Sequence, residues 1–120
     1  MSRVASNISF LYFLEKDYSE AERYVDIALN NDRYNARALV NKGNCLFMKN
    51  DFRKAKELYL EAIGVEADCI EALYNLGYVN KKLNLFIEAL QVNLLLYLGL
   101  GKDTDDYLYP RNHLPNRQHQ

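Results

Sequence analysis

Shifted by 34 residues against itself, the chain falls into register with its own sequence. Ala21, Ala55 and Ala89 coincide, as do Tyr18, Phe52 and Phe86, and Asn7, Asn41 and Asn75. Lys16, Asn50 and Asn84 coincide at a polar turn, Gly43 coincides with Gly77, with Ser9 in the first copy, and Ala28 coincides with Ala62. The register divides the chain into copies at 2–35, 36–69 and 70–103, followed by a tail at 104–120. A unit this short cannot bury an apolar face alone. It must stack on its neighbours, so the period constrains the whole architecture.

Each copy reads as two amphipathic helices joined by a tight turn. Both prolines, Pro110 and Pro115, follow position 109, so nothing before them prevents helix formation. In copy two, Leu39, Leu46 and Phe47 share one helical face, and Phe52, Ala55, Leu58, Tyr59 and Ala62 form the stripe of the next helix. Asp51 stands at that second helix's start, where a carboxylate meets orphan amides and the positive end of the dipole. Asp17 repeats this in copy one, whereas copy three has Leu85 there. Gly64 and Glu66-Ala67-Asp68 are expected to stop the second helix of copy two, and Asn30-Asn31-Asp32 that of copy one. The spacing predicts six helices near 2–15, 18–30, 36–49, 52–64, 70–83 and 86–98. The fold class is all-α.

The small residues have a steric task. Gly43 and Gly77 fall where the first helix of a copy crosses the second, and Ala21, Ala55, Ala62 and Ala89 lie on the opposing side. Side chains of that size let two axes approach at the short end of the ~8–10 Å range. A 34-residue helix–turn–helix with small residues at these places resembles the tetratricopeptide (TPR) repeat. The proline usual near a TPR repeat end is replaced by Arg33, Ala67 and Gly101, and copy three decays, with Asn80 and Asn93 in place of aromatics. The resemblance implies a solenoid whose first helices line a concave protein-binding groove. On that pattern the groove would hold Phe10 and Phe13 from copy one, Arg37, Val40, Asn44 and Phe47 from copy two, and Tyr74 and Tyr78 from copy three.

The wording of the repeats carries a closer likeness. Asn31-Asp32-Arg33-Tyr34-Asn35 leads into Ala38-Leu39-Val40-Asn41-Lys42-Gly43-Asn44. Further on come Glu71-Ala72-Leu73-Tyr74-Asn75-Leu76-Gly77, Lys82-Leu83-Asn84 and Glu88-Ala89-Leu90. Together these are similar to the central TPR region of the polaris-type subunit of intraflagellar transport complex B, over roughly residues 3–90. That likeness implies a scaffold in the machinery that builds cilia and flagella, at the cilium or basal body, with other transport subunits as partners. The family protein has many more repeats, so the chain reads as a fragment or short isoform of a longer rod.

Composition narrows the remaining classes. Fifteen Lys and Arg against sixteen Asp and Glu give net charge -1, with no basic excess for phosphates, so no nucleic acid is expected. The longest apolar run, Leu94 to Leu100, is far short of the ~20 residues that span a bilayer. A cytoplasmic protein without membrane insertion is expected. Cys45 and Cys69 form no metal-ligand spacing, and His113 and His119 lie in the tail. No catalytic constellation, cofactor or metal is expected. A co-chaperone module would need cations and an Asn around a partner's C-terminal carboxylate. Asn41 matches, but Ser6, Phe10, Glu71 and Asn75 occupy the other places, and Glu71 would repel that carboxylate. Pro110 and Pro115 disfavour a capping helix in the tail, so self-association through the C-terminal end is expected.

Overall fold

A computed structural model describes residues 1–97 of the chain. Six α-helices occupy them: α1 (Ser2–Leu14), α2 (Tyr18–Asn31), α3 (Ala36–Met48), α4 (Phe52–Val65), α5 (Ile70–Lys82) and α6 (Phe86–Leu95). They form three antiparallel hairpins, α1/α2, α3/α4 and α5/α6, stacked through the α2/α3 and α4/α5 seams. This is an all-α TPR solenoid. The expected end of the last helix at 98, the close of the third copy at 103 and the tail at 104–120 lie outside the described residues. So do the prolines and histidines of that tail.

The turns explain where the helices begin and end. Lys16, Asn50 and Asn84 each adopt a left-handed conformation, with φ of 65°, 66° and 62°. In the first hairpin Lys16 N–H donates to Phe13 O at 2.9 Å and Asp17 N–H to Tyr12 O at 3.0 Å. The other two turns repeat this pair of bonds at Phe47 and Leu46, and at Lys81 and Asn80. The paired bonds satisfy carbonyls that the ending helix leaves open, and they close α1, α3 and α5 one residue before the periodicity predicts. Asp17 and Asp51 then cap the next helices, accepting from Glu20 N–H at 3.2 Å and Lys54 N–H at 3.4 Å. Leu85 supplies no side-chain cap to α6.

Gly64 does not stop α4. It stays helical without positive φ, and the chain leaves at Glu66, whose backbone is extended at φ -131°. A glycine ends a helix by turning left-handed, and here an extended residue does that work instead.

The main core lies between the second and third hairpins and includes Leu39, Val40, Phe47, Ala55, Tyr59, Ala62, Leu73 and Val79. Smaller clusters join the first hairpin to α3: Ala5, Val25, Ala28 and Ala38 in one, Phe13, Ala21 and Cys45 in the other. Two ion pairs tie the polar edge of the α2/α3 seam, Lys42 with Asp26 and Lys49 with Glu22, each at 2.7 Å. The small residues sit where the steric argument requires: Ala21, Ala55 and Ala62 are fully buried and Ala89 is 3% exposed. A Cβ added to Gly43 would stand 2.6 Å from Tyr59 Cε1, and one added to Gly77 would stand 3.2 Å from Asn93 Oδ1.

The third hairpin is the weakest. Phe13 packs on Tyr18 with ring centroids 5.4 Å apart, and Phe47 on Phe52 at 5.0 Å. Their counterparts in copy three are Lys81 and Phe86, so Phe86 is left mostly exposed. Asn80, at the place of Leu46, is buried, and its Oδ1 has no hydrogen-bond partner among the described residues. An unpaired buried amide oxygen costs about 1–3 kcal/mol, which loosens this end further.

Candidate protein-binding groove

The inner side of the stack is formed by the first helix of each hairpin, α1, α3 and α5. The eight residues assigned to it from sequence divide by burial. Phe10 and Arg37 are exposed, and Tyr74 and Tyr78 are half-buried. Phe13, Val40, Asn44 and Phe47 are buried. Those four pack against neighbouring helices, because adjacent hairpins approach closely enough to enclose them.

Each enclosed residue has a structural partner. Val40 lies in the main core at 2% exposure. Asn44 Oδ1 accepts from Tyr59 O–H at 2.6 Å and from Asn75 Nδ2 at 3.0 Å, joining all three helices α3, α4 and α5. Phe47 stacks on Tyr78 with centroids 5.4 Å apart. Phe13 packs against Tyr18 beside Ala21 and Cys45.

Two depressions among the described residues involve the inner helices α1, α3 and α5 away from the α2 edge. A shallow one of about 210 Å³ at the turn end of the stack is lined by Phe47, Met48, Asn50, Phe52, Tyr78 and Lys82. Lys82 Nζ stands 5.8 Å from the Tyr78 ring centroid, a cation over an aromatic face. Burial pushes the Tyr78 phenol above its ordinary pKa. This patch presents rings to solvent at its rim and suits an apolar or aromatic side chain.

The larger cleft, about 660 Å³, lies at the opposite end of α3, beside the start of α1. Arg3, Ser6 and Asn7 of α1 line it with Arg37 of α3, and the connecting segments add Asp32, Tyr34, Asn35 and Glu66. Of the residues expected in the groove only Arg37 lines this wall; α1 and α3 supply six of its ten residues and the segments between helices the other four. The Asp32–Asn35 stretch carried a signal, but one of wording. Its role here is structural: Asp32 Oδ1 accepts from Tyr34 N–H at 3.0 Å, and Asn35 caps α3 by accepting from Ala38 N–H at 3.0 Å. Asn35 Nδ2 also donates to Ser2 Oγ at 2.9 Å, and Ser2 O–H donates to Ala28 O at 3.0 Å. That chain of bonds pins the start of α1 to the end of α2.

The electrostatics of the cleft are mixed. Arg3 and Arg37 supply positive charge, Asp32 and Glu66 negative charge. Glu71 follows at the start of α5; desolvation by surrounding protein pushes its carboxyl above the ordinary range, and the Arg37 guanidinium acts in the opposite direction. Arg37 and Met48 lie eleven residue steps apart on α3, or roughly 16 Å, so a polar end and an aromatic end share one inner face. Such a surface can hold a peptide segment by side-chain contacts. Among the described residues no three His, Cys, Asp or Glu side chains are grouped to hold a metal ion. No helix there is long and apolar enough to cross a membrane.

Comparison with known proteins agrees on the fold. Residues 36–69 match the tetratricopeptide repeat family. A stretch of 34 residues, 28% of this chain, is 53% identical to the Intraflagellar transport protein 88 homolog of Homo sapiens and spans 4% of that protein. Among solved structures, the first TPR of Spaghetti (RPAP3) bound to HSP90 peptide SRMEEVD is similar, with a TM-score of 0.78 and 19% identity over 88% of this chain and 86% of that one. The second TPR of Spaghetti, bound to the same peptide, has a TM-score of 0.77 and 18% identity over 81% of this chain and 90% of that one. At that identity the likeness speaks for the fold alone.

Proposed function

We propose that this TPR solenoid is a protein–protein interaction scaffold that receives a segment of an intraflagellar transport subunit on its inner face. The observation that carries the reading is the pairing, on one face, of a polar cleft containing Arg3 and Arg37 with an aromatic depression at Phe47, Tyr78 and Lys82. A segment with acidic or polar residues at one end and an apolar anchor at the other matches it. The 53% identity to a human intraflagellar transport protein supports the choice of partner class. The two similar solved TPR domains were captured with a bound peptide, which supports a peptide-sized ligand.

The same residues argue against a chaperone C-terminus as that ligand. Ser6 is 1% exposed and Phe10 is apolar, so neither can meet a terminal carboxylate where a cation and an amide are needed. Glu71 adds a carboxyl on the third inner helix, and two carboxylates brought together repel.

Co-purification with intraflagellar transport complex B subunits tests the proposal. The buried positions are unsuitable for this test, because Val40→Glu or Phe47→Glu would break the core first. The exposed pair Arg3→Glu and Arg37→Glu is the sound perturbation. The wild-type chain should retain a subunit that the double variant loses at least tenfold, with helical content unchanged. Capture of no subunit would remove the transport reading, and equal capture by the variant would remove the groove assignment.

A further inference from the structure

Two residues set the third inner helix apart from the second. The repeat register places Tyr78 of α5 where α3 has Asn44, and Lys82 where α3 has Met48. Asn44 is buried and held by its bonds from Tyr59 and Asn75. Tyr78 instead lays its ring on Phe47, with centroids 5.4 Å apart and planes 27° from parallel. Phe52 meets the same Phe47 ring at 64°, with centroids 5.0 Å apart. The depression that these rings share with Met48 has a volume of about 210 Å³. Small-molecule pockets run from about 300 Å³ upward, so this one is sized for a single side chain. Its rim carries a positive charge. Lys82 is exposed, with its ammonium 5.8 Å from the Tyr78 centroid, and none of the ion pairs among the described residues uses it. Lys81, beside it in the last turn of α5, is exposed as well. Asp51, between Asn50 and Phe52, turns its carboxylate to Lys54 N–H as the cap of α4. An ammonium over a ring face keeps donors for an acid from outside.

We infer that this depression recognises a two-part feature of the bound segment: a large apolar side chain seated on Phe47, Phe52 and Tyr78, and a neighbouring aspartate or glutamate whose carboxylate pairs with Lys82. The inference rests on the scaffold proposal and adds to it a second charge contact, at the end of the inner face away from Arg3 and Arg37. Charge complementarity selects the occupant. The rings take the apolar body, and the ammonium at their rim takes an anion within reach of the same backbone. A lysine or arginine beside the anchor would be repelled by Lys82 and Lys81. Met48, at the place of Lys82 one repeat earlier, offers no such charge, so the discrimination belongs to the third copy.

Phage-displayed random peptides of about a dozen residues, selected on the full chain, test it. The selected peptides should share a Phe, Tyr, Leu or Ile with an Asp or Glu one or two positions away. Measured by fluorescence anisotropy, Lys82→Glu should weaken the best of them by at least about fivefold, and Lys82→Arg by less than about twofold. Replacing the acidic residue of that peptide by Lys should restore binding to Lys82→Glu, a charge swap that a purely structural role for Lys82 would not produce. Added salt should weaken wild-type binding more than binding to Lys82→Gln. Lys82 is exposed, so circular dichroism should show unchanged helicity in all three variants. Selected peptides without a shared acidic residue would overturn the inference, as would equal binding by Lys82→Glu or selection of no peptide at all. Peptides that lose binding to the Arg3→Glu, Arg37→Glu chain but not to Lys82→Glu would overturn it while leaving the scaffold proposal in place, which stands or falls on co-purification.

Discussion

Replacing Gly43 by Ala should destabilise the chain, although Ala is the better helix former by about 1 kcal/mol. The new Cβ would stand 2.6 Å from Tyr59 Cε1, 3.0 Å from Cδ1 and 3.1 Å from Cζ. Carbon atoms rest comfortably at about 3.5–4.0 Å, so the ring must retreat by roughly 1 Å. It has little room to do so. Tyr59 is fully buried in the main core, and its hydroxyl holds Asn44 Oδ1 at 2.6 Å. Overpacking of this kind costs about 1–3 kcal/mol, and losing the hydroxyl bond adds about 0.5–1.5 kcal/mol. Against the propensity gain, the net loss should be about 0.5–3.5 kcal/mol. Gly64→Ala is the control, because a Cβ there meets nothing within 4 Å. It should be stabilising by up to about 1 kcal/mol. Urea unfolding followed by far-ultraviolet circular dichroism measures both. The decisive comparison repeats Gly43→Ala in a Tyr59→Leu background. With the ring gone, Asn44 Oδ1 keeps its bond from Asn75 and the substitution should become neutral or stabilising. The steric reasoning fails if Gly43→Ala is as stable as the wild type, or if its cost is the same in both backgrounds.

Two further outcomes follow from the turns and the thiols. Lys16 holds φ 65° with a side chain that disfavours it, so Lys16→Gly should raise stability by about 0.5–1 kcal/mol, read as a higher thermal midpoint. An unchanged or lower midpoint would mean the turn is not strained. The fully buried Cys45 has its thiol pushed up to about 12 by burial, with Glu22 adding to the rise, which lowers its thiolate fraction about a thousandfold near neutral pH. Cys69, half-buried and also raised chiefly by desolvation, should react slowly with a thiol reagent in the native chain. Cys45 should react only after unfolding; two equally reactive native thiols would contradict the packing.

The number, order and pairing of the helices were legible in the sequence because each depends on local terms. The 3.6-residue apolar period sets a face, Asp17 and Asp51 set starts, and Lys16, Asn50 and Asn84 set turns, all within a few residues of where they act. Boundaries moved by about a residue because capping bonds compete at each end. Gly64 was misjudged as a stop because a glycine can remain helical when the next residues turn extended.

Which inner-face residues are free was not legible, because it depends on how closely neighbouring hairpins approach. Val40, Asn44 and Phe47 carry the same repeat positions as groove residues, yet the second hairpin is covered on both sides and encloses them. Val4 and Leu11 are exposed where their counterparts Ala38 and Cys45 are fully buried, because no hairpin among the described residues covers that side of α1. Size matching across each hairpin is also tertiary. In copy one Val25 stands at the repeat position of Tyr59, and Ser9 fits there with its hydroxyl donating to Ala21 O at 2.7 Å. Gly is required at 43 because Tyr59 faces it. The period by itself determined that small residues belong at that crossing. Only the packed structure decided how small, since the limit is set by one particular side chain on the opposing helix.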